Sequence, residues 1–326
     1  MTIRYNTCCW KLGGTKTIRR ASTTLLDRWG TNLQNSTNDI KRIYTAPEGH
    51  KFVQRDQSGA EALIVAYLCR AGNFRDLFIH GVKPHVYVAM HMFKQVWEQE
   101  LKQPLEQFIS SPIRQLKGIP NWQALDKLIR SSDHWESARR FYFMAKMVCH
   151  ASNYGITAPM LQMHILQKSS GTIALSLQDA EMFLALYHSL FPEIREWHME
   201  TEYIVSQTRR LNNLQGFPMY FGKTFTPKYL KDVIAWVAQS TVGCITQTAV
   251  SGMYGKYQVV NDGHDSFMCL AKDEDVEDCS KVMKELIEQE LTSPRGEVFR
   301  MKSSCSVGSN WGHKDKDNPD GMEEIQ

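Results

Sequence analysis

One predicted helix carries a stripe of side chains that could bind a ligand with an anionic end and a flat end. The stripe consists of Arg139, Phe143, Lys146 and His150, which lie four, three and four residues apart. Residues 138–155 contain no Pro, and their only Gly is the last residue, so they predict a helix of about four turns with these four side chains on one face. Cations and rings on one face suit a nucleoside triphosphate. The residues by themselves also allow a solvated basic face.

Two aspartates that are far apart in the sequence lie where predicted strands end or turn. Asp56 ends a hydrophobic strand and is followed by a predicted helix. Asp265 lies in a Gly-containing turn between two strands within residues 257–270. Glu61 lies three residues after Ser58, and this pair fits a capping box that would stabilise the helix start by about 1 kcal/mol. Ordinary turn and cap roles therefore stay open for these carboxylates.

The predicted helix resembles the fingers-helix motif of the family A DNA polymerases, the group of bacterial polymerase I and the T7-like phage enzymes. The resemblance rests on Lys146 and on Tyr154-Gly155, which begins eight residues later. It implies that Lys146 holds the incoming triphosphate. It also implies that His150 stacks on the nucleotide and that Tyr154 closes the pocket against the templating base.

Two positions of this helix depart from the family pattern. The family's Arg one turn before the lysine is Tyr142 here, and its Phe or Tyr at the stacking position is His150. Arg139 lies two turns before Lys146 on the same face, so we expect Arg139 to supply the missing cation. Tyr142 is a candidate substrate-binding residue through its position in the motif.

The two aspartates resemble the metal-binding motifs of the same family. A Pro-Glu-Gly turn followed by Asp-x-Ser-x-x-Glu would make Asp56 the first catalytic carboxylate and Glu61 the steric gate that excludes a 2′-hydroxyl. The hairpin with His264-Asp265 resembles the second motif, although the family's next Glu is Ser266 here. The resemblance implies that the two aspartates hold a pair of Mg²⁺ ions about 4 Å apart.

Several polar residues resemble the family's contacts to DNA. Arg20 and the Asn-Leu-Gln-Asn segment precede the first aspartate, in the order that the family's primer–template contacts have. Such side chains suit contacts to a backbone of any sequence. The DNA contacts that the resemblance implies are Arg20, Gln34, Lys231, Gln239 and His264.

The resemblance covers roughly residues 16–311 and implies an α+β fold. In this fold a polymerase palm with an antiparallel sheet carries an inserted helical fingers subdomain. The predicted division is a segment of unclear role at 1–15, palm at 16–85, fingers at 86–228 with a short-helix insertion around 101–132, palm at 229–311, and a polar tail at 312–326. The composition of that tail predicts disorder.

Cysteine usage favours a reducing cytoplasm, and the resemblance implies that of a bacterium or of a phage-infected cell. The 326 residues contain eight cysteines without a CxxC pair, which suggests buried free thiols. No apolar run reaches about 18 residues, so we expect no membrane insertion.

The net charge is only +3, but residues 1–50 hold eight Lys/Arg against three Asp/Glu, and residues 271–290 hold three Lys/Arg against eight Asp/Glu. A phosphate backbone would approach the basic region.

The motifs in this order imply template-directed DNA synthesis, in which two metal ions assist the addition of dNTPs to a primer 3′-hydroxyl. The family's thumb and 3′–5′ exonuclease would precede Arg20, so we expect a separate polypeptide to carry them, as in a split phage replicative polymerase. One alternative is a catalytically weak or silent structural subunit that binds DNA or another protein in a replication complex. The changes at Tyr142, Ser266 and Lys83, which stands where the family has an acid, argue for it. The intact Asp56, Asp265 and Lys146 argue against it. A second alternative is an RNA-synthesising relative, against which Glu61 argues.

Overall fold

A computed structural model describes residues 9–11, 21–23, 33, 36–130, 138–222 and 227–325, and every structural statement below refers to these residues. The helices are α1 (Asn38–Lys41), α2 (Ala60–Leu68), α3 (Asn73–Ile79), α4 (Pro84–Met92), α5 (Lys94–Leu101), α6 (Glu106–Ser110), α7 (Trp122–Arg130), α8 (Ala138–Ser152), α9 (Ala158–Lys168), α10 (Leu177–Leu190), α11 (Pro192–Thr208), α12 (Pro227–Gly252) and α13 (Val276–Ile287), with 3₁₀ turns at Ile113–Gly118 and Asp273–Asp275. The strands are β1 (Cys9–Lys11), β2 (Ala21–Thr23), β3 (His50–Gln57), β4 (Arg210–Asn212), β5 (Pro218–Tyr220), β6 (Gln258–Asp262), β7 (Ser266–Lys272), β8 (Glu290–Thr292), β9 (Val298–Arg300), β10 (Ser303–Gly308) and β11 (Glu323–Ile325).

Five antiparallel strands form the main sheet in the order β11-β10-β3-β7-β6. Strand β3 lies in its centre, and the neighbouring residues Phe52 and Val53 are both buried. Since successive side chains of a strand point to opposite faces, both faces of the sheet are covered here. Helices combined with an antiparallel sheet confirm the predicted α+β class.

The chain divides into two compact units. The sheet unit comprises Met1–Glu61, Asn212–Met219 and Trp236–Gln326. The helical unit comprises Ala62–Leu211 and Tyr220–Ala235. Helix α12 begins in the helical unit and continues into the sheet unit. Most of the sheet unit comes from the two ends of the sequence.

One face of the main sheet is covered by α13, which lies in the acidic segment 271–290. Arg55 of β3 is buried, and its guanidinium donates to the carbonyl oxygen of Ser280 at 3.1 Å and to its hydroxyl at 2.7 Å. It also donates to the Ser303 hydroxyl at 3.0 Å. These bonds offset the cost of burying a cation. Because side chains alternate along a strand, the next residue, Asp56, points to the other face.

The C-terminal segment covers part of that other face, which corrects the prediction of a disordered tail. Strand β11 pairs with β10, and Met322 is buried with Trp311 and Phe52 in one apolar cluster. The Trp311 indole donates to the Gln54 side-chain oxygen at 3.1 Å. The polar composition of 312–326 concealed these anchors, whose burial opposes the entropy cost of ordering the segment.

We expect Met322→Ala to destabilise the protein, because Met322 is only 6% exposed in that cluster. Truncating a buried methionine costs about 2 kcal/mol or more of unfolding free energy. Ile325→Ala is the control, since Ile325 is 39% exposed in the same segment and should change the free energy by about 0.5 kcal/mol or less. Urea denaturation of both variants measures the difference. Equal effects would contradict an anchored tail.

In the helical unit, α8 packs against α4, α7, α9 and α10. Ala145 and Val148 of α8 are fully buried, which places an apolar side of this helix in the core. The short helices expected within 101–132 are present, and Leu125 and Ile129 of α7 are fully buried. This segment is therefore a packed part of the helical unit.

Helix α12 is long and apolar enough over Tyr229–Gly252 to cross a membrane by length and composition, and within the described ranges it is the one helix that is. No uninterrupted apolar run indicates such a helix, because polar residues are interspersed among the apolar ones. The most apolar window of the helix is 78% buried inside the protein. Such burial is typical of a core helix. A buried core helix meets the same criteria of length and composition as a membrane span, so these criteria alone are weak evidence of one.

Candidate active site

Asp56 and Asp265, which we call the aspartate pair, lie at neighbouring strand ends of the main sheet. Asp56 of β3 pairs with Ser266, the first residue of β7, and Asp265 directly precedes Ser266. The Gln57 amide donates to the Asp265 carbonyl oxygen at 2.8 Å. Since paired residues of antiparallel strands have Cα atoms about 5 Å apart, the two aspartates start from adjacent backbone positions. Sheet pairing therefore brings them together.

Buried polar groups of β3 and α12 support the hairpin turn. The Gln57 side-chain amide donates to the Thr246 hydroxyl at 2.7 Å and to the Val242 carbonyl oxygen at 3.3 Å. The Thr246 hydroxyl lies 2.9 Å from the His264 carbonyl oxygen, which it can reach as a donor. Gln57 and Thr246 are both buried, where an unmade hydrogen bond is costly. The turn that carries Asp265 is thus held from two sides.

The turn is tight at Gly263. A third carboxylate before it, that of Asp262, lies on the opposite face of the sheet from Asp56. A Cβ atom at Gly263 would lie 2.7 Å from the Ser266 hydroxyl oxygen, so a side chain does not fit there. Asp262 is buried at the end of β6 and pairs with Phe267, which in turn pairs with Arg55. Paired side chains share a face, so Asp262 belongs to the face that α13 covers.

The aspartate pair has the donor chemistry that Mg²⁺ prefers. Asp56 is half-buried and Asp265 is exposed, so water and phosphate oxygens can reach both carboxylates. Mg²⁺ is commonly bound by one or two carboxylates together with waters and substrate phosphates. In the described part of the chain no group of three or more His, Cys, Asp or Glu side chains could hold a metal ion. A bound ion would therefore depend on the pair and on oxygen ligands from water and substrate.

Glu61 contacts two other predicted site residues, and we call these three residues the Glu61 cluster. One carboxylate oxygen of Glu61 lies 3.2 Å from Nε2 of His264. The other accepts a hydrogen bond from the Gln239 side-chain amide at 3.4 Å. Glu61 lies in the first turn of α2, which begins at Ala60. The cluster belongs to the sheet unit, as the aspartate pair does.

In the helical unit, three predicted site residues of α8 lie near a histidine of α4. Tyr142, Lys146 and His150 are spaced four residues apart, which puts them on one face of α8. The His85 ring lies 6.0 Å from the Tyr142 ring and 5.7 Å from the His150 ring. Lys146 is exposed, whereas Tyr142 and His150 are half-buried. This face combines an accessible ammonium group with aromatic rings.

Burial, and then the nearby His150, Lys146 and Lys83, lower the pKa of His85 to about 3. His85 is therefore neutral at physiological pH. Protonation of this ring would add a charge next to existing ones. The neutral ring allows these groups to pack closely on the α8 face.

We expect His85 to make the protein less stable at mildly acidic pH. Its pKa is about 3 in the folded chain and 6.5 in an unperturbed one, so the unfolded state binds the proton more readily. This contribution to stability is complete above pH 6.5 and is lost as the pH falls from 6.5 towards 3. The loss can reach about 1.4 kcal/mol per pH unit for one group.

Urea denaturation at pH 7, 6 and 5 measures this effect. The His85→Gln variant should lose less unfolding free energy between pH 7 and 5 than the wild type does. His80→Gln is the control, because His80 is exposed at the end of α3. An unchanged pH slope in His85→Gln would show that His85 does not cause it.

Tyr154 follows Asn153, an anchored residue just beyond the end of α8. The carbonyl oxygen of Asn153 accepts a hydrogen bond from His198 at 2.8 Å, and its side-chain oxygen accepts one from the Tyr187 hydroxyl at 2.6 Å. Gly155 has a φ of 67°, a left-handed conformation that strains other residues. Tyr154 is half-buried between these two fixed positions.

Four predicted site residues lie outside the groups above. The backbone of Arg139 belongs to α8, but its side chain lies outside the described residues, as do Arg20 and Gln34 entirely. Lys231 is half-buried on the part of α12 that belongs to the helical unit. The roles assigned to these four stay predictions.

Sequence reasoning missed the supporting residues Gln57 and Thr246. One signal was present for Gln57, because it follows Asp56 in β3 and alternation turns it away from the aspartate's face. A glutamine on a buried face requires hydrogen-bond partners. No comparable signal marks Thr246, because its partners come from elements distant in the sequence.

Comparison with solved structures identifies a similar fold. No protein-family model and no curated protein matches the sequence. The chain is similar to the polymerase domain of Pol1 from M. smegmatis, solved in complex with a DNA primer-template and dNTP, with a TM-score of 0.65 and 15% sequence identity. The match covers 94% of this chain and 48% of that chain, so the present sequence spans about half of its length. The chain is thus similar in fold to about half of a DNA polymerase domain.

Proposed function

We propose that this chain catalyses template-directed DNA synthesis by adding dNTPs to a primer 3′-hydroxyl. The aspartate pair carries the proposal, because sheet pairing and the bond from the Gln57 backbone amide bring two aspartates with accessible side chains to adjacent backbone positions. The similarity to a polymerase domain supports it. That neighbour was solved with primer-template and dNTP, which are the substrates proposed here.

In the proposed reaction, Asp56 and Asp265 hold two Mg²⁺ ions. When bound, these ions lower the pKa of the primer hydroxyl and stabilise the negative charge of the leaving pyrophosphate. The hairpin turn fixes the backbone of Asp265, so only its side-chain torsions must adjust for the carboxylate to serve as a ligand. Glu61 lies under the sugar of the incoming nucleotide and excludes a 2′-hydroxyl, which favours dNTPs over rNTPs.

The α8 face binds the incoming nucleotide in this proposal. Lys146 neutralises charge on the triphosphate and can protonate the leaving group. His150 stacks on the nucleotide, and Tyr154 stacks against the templating base. Tyr142 adds a ring to this face, and Arg139 supplies a second cation.

The proposed partners are primer-template DNA and dNTPs. The contacts to DNA are those of Arg20, Gln34, Lys231, Gln239 and His264. A separate polypeptide that carries a thumb and a 3′–5′ exonuclease, as in a split phage polymerase, stays a prediction. Family A membership, a cytoplasmic location and the absence of a membrane partner also stay predictions.

Primer extension tests the proposal. The chain is incubated with a primed template, Mg²⁺ and either dNTPs or rNTPs, with and without the products of neighbouring genes. Extension with dNTPs supports DNA synthesis, and a requirement for an added polypeptide supports the split. Extension with rNTPs alone favours the RNA-synthesising alternative. DNA binding without any extension contradicts the proposal and favours a silent structural subunit.

A further inference from the structure

The Glu61 cluster joins three elements of the sheet unit at one carboxylate. Glu61 belongs to α2, Gln239 to α12, and His264 to the turn between β6 and β7. Each oxygen of the carboxylate has its own partner, at 3.2 Å for His264 and 3.4 Å for Gln239. A carboxylate only accepts hydrogen bonds, so Nε2 of His264 carries the proton in this contact. The side chains of Glu61 and His264 are each 16% exposed, so water competes little for their bond.

One side of α12 provides the first partner of Glu61, Gln239, and supports the second, His264. Gln239 lies seven residues, or two turns, before Thr246, so both project from one side of the helix. Thr246 holds the backbone of His264 at its carbonyl oxygen. Gln239 therefore contacts Glu61 directly, and Thr246 supports the contact that His264 makes.

Two bonds to separate oxygens restrict the orientation of a flexible side chain. A free glutamate samples several rotamers, and hydrogen bonds to an ionised carboxylate are stronger than those between neutral groups. A carboxylate that excludes a 2′-hydroxyl by its position must resist displacement when a ribose arrives. Its partners would then contribute to selectivity without touching the sugar.

We propose that Gln239 and His264 are positioning residues that hold the Glu61 carboxylate and thereby set the preference for deoxyribose over ribose. This inference rests on the proposed function, in which Glu61 is the sugar gate. Gln239 is the better residue to change, because His264 directly precedes the candidate metal ligand Asp265. Gln239 lies on a helix, apart from both aspartates in the sequence.

The test is single-nucleotide insertion with a dNTP or the matching rNTP, read as the ratio of the two kcat/KM values. The variants are Gln239→Ala, Glu61→Ala and the double variant, each compared with the wild type. We expect Gln239→Ala to lower the ratio by roughly tenfold, because a hydrogen bond to the Glu61 carboxylate is lost. Loss of the proposed contact of Gln239 to DNA would lower both kcat/KM values alike and leave the ratio unchanged. In the Glu61→Ala background the same change should have no further effect on the ratio. Gln247→Ala, on the same helix, is the matched control and should leave the ratio unchanged.

Three results would overturn the inference. One is an unchanged ratio in Gln239→Ala, whether or not both activities fall, which would leave Gln239 only its proposed contact to DNA or a role in folding. Another is a further change of the ratio in the double variant, since Gln239 would then act independently of Glu61. In both cases, dNTP insertion by the wild type would still support the proposed function. A wild-type chain that inserts no dNTP would overturn both proposals.

Discussion

Asp265→Asn is expected to abolish most primer extension while leaving the protein folded. Asp265 is exposed in the hairpin turn, so the change removes a charge and little packing. The backbone bond from the Gln57 amide to the Asp265 carbonyl oxygen does not involve the side chain and should persist. The two Mg²⁺ ions of the proposed reaction would stabilise the transition state by several kcal/mol. Losing one of their carboxylate ligands should therefore lower the extension rate about 10³-fold.

The control for this change is Asp273→Asn, which alters another exposed aspartate of the sheet unit, beyond the end of β7. Rates are measured under single-turnover conditions over a range of Mg²⁺ concentrations. Asp56→Asn should behave as Asp265→Asn does, since both carboxylates serve the same ions. Near wild-type activity in either variant would exclude the aspartate pair as the catalytic centre.

Lys146→Gln is expected to show the second largest effect, a fall of about 10²-fold in kcat/KM for dNTPs. Lys146 is the exposed cation on the α8 face that also carries Tyr142 and His150. In the proposed reaction its ammonium meets the triphosphate, whose negative charge grows on the leaving group. The glutamine keeps much of the length of the side chain and removes the charge. Binding of primer-template should change little, because the lysine acts on the nucleotide.

Arg140→Gln is the matched control for Lys146→Gln, because Arg140 is an exposed cation six residues earlier, on another face of α8. Steady-state insertion and a DNA-binding assay on both variants separate nucleotide contacts from a general electrostatic effect. If the two variants lost activity equally, the positive charge of the helix as a whole would be responsible. The α8 face would then lose its assigned role.

Much of the local structure around the site was predictable from the sequence. The strand before Asp56, the hairpin around Asp265 and the helix that carries Lys146 all follow from apolar periodicity and turn residues, which act between near neighbours in the chain. The structure has these elements within a few residues of the expected bounds. The order of the motifs also indicated the α+β class, which the observed sheet confirms.

The tail shows where such local reasoning fails. A polar composition predicts disorder when a segment cannot bury enough apolar surface. Here Met322 packs in one cluster with Trp311 and Phe52, and β11 pairs with β10. The surface that receives Met322 includes Phe52 of β3, a strand about 270 positions earlier in the sequence. No local pattern in 312–326 could reveal it.

The sequence by itself determined which residue types lie at each strand end and helix face, because these depend on short-range periodicity. Only the tertiary structure decided which of them meet. Glu61 contacts His264 across 203 positions and Gln239 across 178, and no pattern in the chain encodes such pairs. They form because strand pairing and the packing of α12 bring distant segments together, where polar groups withdrawn from water must satisfy one another.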